Sequence, residues 1–226
     1  MRIAISLSFI ALLPGLSIPA ECSQLTYASQ AAFDAAAAPL TNISFNSIPL
    51  PGGITTLSSY SADGVVFSGQ TLSGPGIYAI GPSYYFEYDR DGNVSLDSYT
   101  GTSNNTMTIS LPANTYAVGF DLFTVINNQP TAADTEDVVV GGQSYNVASL
   151  PYNGQRNGSD LAFFGVVSTT PIATVTLSPE IYSQTGTDIE NFQFGGQAPA
   201  SAPEPGSMFL LSGGALAALI CKRARP

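Results

Sequence analysis

Glu87, Asp89, Asp91 and Asn93 alternate along one short stretch, and four oxygen-bearing side chains at this spacing around Gly92 can converge on a hard cation. Calcium is the ion such a set would take. The spacing departs from an EF-hand loop, because Gly92 precedes Asn93 instead of following it. The plainer reading is an Asp-Gly turn at Asp89–Gly92 that joins Tyr84–Tyr88 to Asn93–Leu96 as a hairpin. A second acidic cluster, Asp134-Thr-Glu-Asp137, reads as a solvated loop ahead of Val138. Tyr84, Tyr85, Tyr88 and Tyr99 can offer sugar rings an apolar face and a hydroxyl each, although core packing accounts equally well for some of them.

Most other chemistries are excluded by residue type. The chain has no histidine, which removes Ser-His-Asp and Cys-His nucleophile systems and histidine-ligated metals. Cys22 and Cys221 stand at opposite ends, one beside a cleavage site and the other in a membrane tail, so neither a disulfide framework nor thiolate catalysis is expected of the body. No lysine occurs between residues 3 and 221, and no glycine-rich phosphate cradle is present, which argues against nucleotide chemistry. A glycosidase needs two carboxylates ~5 to 9 Å apart in a cleft. The 16 acids allow many pairs, but no Glu-x-Asp-x-x-Glu run of the jelly-roll glucanase kind occurs. The body reads as non-enzymatic.

The two ends carry a different message. Met1-Arg2 precedes the apolar run Ile3–Leu13 and the small-residue exit Ser17-Ile-Pro-Ala20, the three parts of a secretory signal peptide over residues 1–20. At the other end stand Pro203-Glu204-Pro205, the uncharged run Met208–Cys221, and the basic residues Lys222, Arg223 and Arg225. The prolines keep the segment around Glu204 extended. A short transmembrane helix is expected over residues 207–221; the uncharged run would span roughly 21 Å at 1.5 Å per residue, short of the ~30 Å hydrocarbon core. The basic end can snorkel to the head groups and hold that terminus in the cytoplasm, leaving the body outside.

This order of blocks, residues 203–226, resembles the PEP-CTERM sorting signal of bacterial surface proteins. The resemblance implies recognition at Pro203, Glu204 and Pro205 by an exosortase-like membrane transpeptidase, removal of the tail, and export into an envelope rich in exopolysaccharide. Lys-Arg-Ala-Arg is a less regular basic end than an unbroken arginine run. The body is similar to others carrying this tail at Ala31-Ala-Phe33, Gly64–Ser68, Phe163–Ile172 and Asp188–Gly195, a pattern that supports a fold and leaves the activity open.

From Glu21 to Pro205, Arg90 and Arg156 are the basic residues set against all 16 acids, so nucleic acid is not an expected partner. Cations or neutral, hydroxyl-rich ligands fit this charge better. Residues 21–195 form the expected domain, and the Gly, Ala, Pro and Ser spacer at 196–202 keeps the sorting motif reachable. Ser29–Ala38 is rich in helix formers and stopped by Pro39, which predicts one short helix packed through Phe33. From Asn42 onward the period changes to two. Ile43–Ile48, Gly64–Ser68, Ile77–Ile80, Thr106–Leu111, Tyr116–Leu122, Leu161–Val167, Ala173–Leu177 and Ile189–Phe194 read as strands, and Val138–Val140 and Ser144–Val147 as a hairpin around Gly141-Gly142. Roughly a dozen such strands predict an all-β, two-sheet antiparallel sandwich of jelly-roll type.

The expected function is therefore an exported, non-enzymatic cell-surface or matrix protein associated with exopolysaccharide. The alternatives are a calcium-assisted carbohydrate-binding module and a carboxylate-based glycan hydrolase.

Overall fold

Alternating apolar residues give each strand one face for the core and one for solvent, and two such sheets bury their apolar faces against each other. A computed structural model describes residues 23–82, 92–100, 105–126, 135–148, 162–179 and 185–197 of this chain. The described residues hold β1 (Gln24–Tyr27), α1 (Gln30–Ala37), β2 (Leu40–Ile43), β3 (Ile54–Leu57), β4 (Tyr60–Ala62), β5 (Val65–Ser68), β6 (Gln70–Thr71), β7 (Gly74–Pro75) and β8 (Ile77–Ile80). They continue with β9 (Ser95–Ser98), β10 (Met107–Ser110), β11 (Ala117–Ile126), β12 (Thr135–Val140), β13 (Gln143–Ala148), β14 (Ala162–Ser168), β15 (Thr174–Pro179) and β16 (Thr185–Gly195).

One sheet runs β1-β14-β11-β16-β9-β8-β3, with β2 also on β16; the other runs β13-β12-β15-β10-β5-β4. From β9 onward the chain crosses repeatedly between the sheets, and every pairing is antiparallel. Period two places Met107 and Ile109, Val118, Phe120 and Leu122, Val138 and Val140, and Val175 and Leu177 in one shared core. The β12–β13 hairpin closes at Gly141 and Gly142 with φ of 56° and 89°, as a two-residue turn requires. Among the described residues no helix is long and apolar enough to cross a membrane.

Helix α1 lies where the sequence places it, with Phe33 and Ala37 buried. It covers the outer face of the first sheet. Phe33 sits over Gly119 and Gly165, which are Cα partners across β11 and β14, beside Phe163 at a ring separation of 5.5 Å.

Three local expectations are corrected. Ile43–Ile48 is not one strand: β2 ends at Ile43, and Phe45 and Ile48 turn into the core from a bend closed by the Ile48 N–H on the Phe45 carbonyl. The strand expected at Asn93–Leu96 is shifted to Ser95–Ser98 and is paired on its two edges with β8 and β16, while Tyr84–Tyr88, the other arm of the expected hairpin, is outside the described residues. Residues 83–91 lie outside the described residues. The acidic loop before Val138 is strand instead, since β12 begins at Thr135 and Glu136 is fully buried.

The two ends of the sandwich differ. At one, a set of backbone hydrogen bonds ties the strand ends together: Tyr116 N–H to Gly195 O at 2.8 Å, Ser168 N–H to Tyr116 O at 2.8 Å, Thr169 N–H to Ser23 O at 3.0 Å and Ile172 N–H to Thr115 O at 2.7 Å. Gln24 fastens the sheets there, donating to Val140 O at 3.2 Å and accepting from the Tyr145 hydroxyl at 2.5 Å. At the other end lie Ser98, Ile126, Thr135, Ala148, Ala162, Pro179 and Thr185, the strand termini that the longer connections join.

Candidate functional site

Polar side chains collect at this second end. On the inner side, the Thr187 hydroxyl of β16 donates to Glu136 Oε1 of β12 at 2.9 Å, crossing from one sheet to the other, and lies 3.4 Å from the Asn105 carbonyl. Asn105 Oδ1 accepts from both the backbone and the hydroxyl of Thr100, at 2.7 Å each. Ser98 Oγ accepts from Gln70 N–H at 3.0 Å and donates to Thr106 O at 3.0 Å. Thr187, Ser98, Asn105 and Glu136 are all fully buried. A buried carboxyl is tolerated only where donors reach it.

On the outer face of the first sheet the same end carries a second group. Asp97 and Asp188 are Cα partners across β9 and β16, and Ser95 donates to Asp188 Oδ1 at 3.2 Å. Glu190 is the Cα partner of Asp121, whose Oδ2 accepts from Asn191 Nδ2 at 2.7 Å. Asn191, at φ 47°, stands where the register of β16 against β11 slips. Asp97, Asp188 and Glu190 are 6%, 0% and 1% exposed, which removes them from direct contact with a ligand. Gly186 fits closely here, because a Cβ on it would lie 2.6 Å from Asp97 Oδ1.

The arrangement joins sheets and fixes strand ends. Replacing Thr187 with Val keeps the shape and deletes one donor to a buried carboxyl. A loss of about 1–3 kcal/mol is expected, read as a lower denaturation midpoint at unchanged m-value, while Thr187→Ser stays close to the parent.

Of the candidate calcium set, Asn93 alone is among the described residues, and its Oδ1 accepts from Asn46 Nδ2 at 2.7 Å. Asn46 Oδ1 accepts the Val94 N–H at 2.7 Å, so this pair clamps the bend after β2 to the start of β9. Glu87, Asp89 and Asp91 lie outside the described residues, as do Tyr84, Tyr85, Tyr88, Pro203, Glu204, Pro205, Lys222, Arg223 and Arg225. Among the described residues no group of three or more acidic or cysteine side chains is placed to hold a metal ion. The buried polar cluster was not anticipated from sequence. Its one signal was alternation, which put Asp188 and Glu190 on the face opposite Ile189 without showing that this face is covered; the register shift at Asn191, which turns Phe192 to the Ile189 side, has no such signal.

No family model matches the chain, and no curated protein matches it. Among solved structures it is similar to the catalytic domain of a GH87 α-1,3-glucanase, at 14% identity and a TM-score of 0.34, over 74% of this chain and 29% of that one. It is also similar to a family 29 carbohydrate binding module, at 12% identity and a TM-score of 0.29, over 75% of this chain and 93% of the module. A third is a family 35 carbohydrate binding module from Clostridium thermocellum, at 10% identity and a TM-score of 0.24, over 76% and 97% of the two chains. These likenesses are weak, and the functional reading rests on the residues of this chain.

Proposed function

We propose that this chain is an exported, non-enzymatic surface or matrix protein, sorted through a PEP-CTERM signal, whose sandwich of jelly-roll type associates with extracellular polysaccharide. The observation that carries the reading is the ordered tail: Pro203-Glu204-Pro205, an uncharged run, and a basic end, matched by an apolar N-terminal run behind Arg2. Both positive flanks belong on the cytoplasmic side, which puts the acidic body across the membrane. An exosortase-like transpeptidase is the processing partner.

Binding is preferred to hydrolysis because the carboxylates Asp97, Asp188, Glu190 and Glu136 are shut off from solvent, whereas a glycosidase pair must flank an accessible bond. The tail is tested by replacing Pro203, Glu204 and Pro205 with alanine and measuring intact mass of protein from the native envelope. The parent is expected to lack residues 1–20 and the segment beyond the motif, and the variant to retain its tail in the membrane fraction. Parent protein found soluble inside the cell with both ends attached would refute the reading. Association of the body is tested by calorimetry with purified matrix polysaccharide, with and without Ca²⁺; heat that needs the ion would favour the calcium-assisted alternative, and reducing ends released during titration would favour a hydrolase.

A further inference from the structure

The outer faces of the two sheets are made differently. On the first, Phe33 of α1 covers Gly119 and Gly165, and the acids Asp97, Asp188 and Glu190 are buried. On the second, Phe67, Ile109, Val138 and Val175 turn to the core, so the residues beside them in each strand turn outward. Ser61, Val66, Ser110, Ser144 and Thr174 are exposed there.

Strand register lines these outward residues up in rows. One row runs Ser144, Val139, Thr176, Thr108 and Ser68 across β13, β12, β15, β10 and β5. The next runs Thr174, Ser110, Val66 and Ser61 across β15, β10, β5 and β4. Neighbours in a row stand ~4.8 Å apart and the rows ~6.8 Å apart, so the longer row covers roughly 19 Å. None of these side chains is charged, in a chain that carries 16 acids. Asp137 occupies the row on the other side, between Asn146 and Ser178, and accepts the Ser144 hydroxyl; Asp63 lies in the turn from β4 to β5. Among the described residues no hydrogen bond engages the hydroxyls of Thr108, Ser110, Thr174 or Thr176, which are left to whatever lies against the face. Tyr60 and Tyr145 of the same sheet pack against the core, so the two rows offer no ring for a sugar to stack on.

We propose that this outer face of the second sheet is where the sandwich takes its polysaccharide, and that the ligand is an uncharged chain held by rows of hydroxyls and methyls. The inference rests on the polysaccharide association proposed above and adds to it the face and the charge of the ligand. A body this acidic repels a polyanion, and rows without a carboxylate give a polycation nothing to pair with. A threonine hydroxyl both donates and accepts, which suits the hydroxyls of a neutral sugar, while the threonine methyls with Val66 and Val139 meet its C–H groups. Each such contact is weak. A flat row repeats it along a polymer, and the repeats add up because they are linked.

The test is affinity electrophoresis of the full chain, kept in a detergent without a sugar head group, through gels containing polysaccharide purified from the native matrix and split by anion exchange into neutral and acidic fractions. The parent is expected to be retarded by the neutral fraction and not by the acidic one. The pair Thr108→Val with Thr176→Val, melting with the parent, is expected to bind about tenfold more weakly through the loss of two hydrogen bonds. A second pair, Ser110→Ala with Thr174→Val, removes exposed hydroxyls from the next row and carries the test if the first pair disturbs the sheet. Thr26→Val and Thr41→Val, exposed on strands of the first sheet, are expected to run as the parent does. Unchanged retardation in both pairs overturns the face and leaves the polysaccharide association intact. Retardation by the acidic fraction alone overturns the uncharged ligand. A parent that neither fraction retards overturns the association, and the face falls with it. A dimer in sedimentation velocity that either pair dissociates also overturns the proposal, since the rows would then meet a second copy of the chain.

Discussion

Replacing Phe192 with alanine lowers stability by about 3–5 kcal/mol, an effect that moves the melting temperature of a domain this size by roughly 10 °C. Phe192 is fully buried at the place where the sheets meet. Its ring makes an edge contact with Phe67 of the opposing sheet at 5.0 Å, and stacks on Phe120 of its own sheet at 6.0 Å. Phe67 in turn meets Phe45 edge-on at 5.3 Å, and Phe45 meets Tyr60 at 5.6 Å. Removing the central ring therefore leaves a void lined by rings anchored on different strands, which cannot all move inward together. Calorimetry checks this against Leu72→Ala, whose parent side chain is 66% exposed and which should change stability by less than about 0.5 kcal/mol. A Phe192→Ala protein that melts with the parent would mean that the two sheets do not close on this ring.

The second large effect is expected at the seat of α1. A Cβ on Gly165 would lie 2.7 Å from the Phe33 ring and 2.9 Å from Phe163, and one on Gly119 would lie at 2.7 and 2.9 Å from the same two rings. Gly165→Ala must push a fully buried ring off the sheet and should lose about 1–3 kcal/mol. Phe33→Ala should lose about 3–5 kcal/mol by emptying the seat. The informative comparison is the double variant: with the Phe33 ring gone, only the 2.9 Å approach of Phe163 remains and that ring has vacated space to move into, so Gly165→Ala should cost less in the Phe33→Ala background than in the parent. Denaturant titration of the four proteins measures the coupling. Additive losses would show that Phe33 and Gly165 do not share this contact in solution.

The strands carrying regular alternation were legible from sequence. Met107 and Ile109, Val118 through Leu122, and the Gly141-Gly142 hairpin all follow local rules of period and turn conformation, and each stands where those rules put it. Short strands were harder. β1 and β4 are edges of four and three residues, and Gln24–Tyr27 has little apolar pattern because its place is set by β14 alongside and by the Gln24 bonds across the sandwich. Neighbouring chain, and not propensity, made them strands.

The acids show the limit most clearly. A row such as Asp134-Thr-Glu-Asp137 has the composition of a solvated loop, yet Glu136 is held between sheets by a threonine 51 positions along the chain. Phe33 and the Gly119–Gly165 pair are likewise far apart in sequence and meet only because β11 and β14 lie side by side.

By itself the sequence determined which segments are strands of strong period, where one helix sits, which catalytic residue types are missing, and the order of blocks at both termini, because each of these depends on residue identity and local spacing alone. Tertiary structure decided which face of each strand is covered, which acids are taken from water, and that the described chain begins and ends at the same end of the sandwich. Those depend on pairings between distant strands, which no local pattern contains.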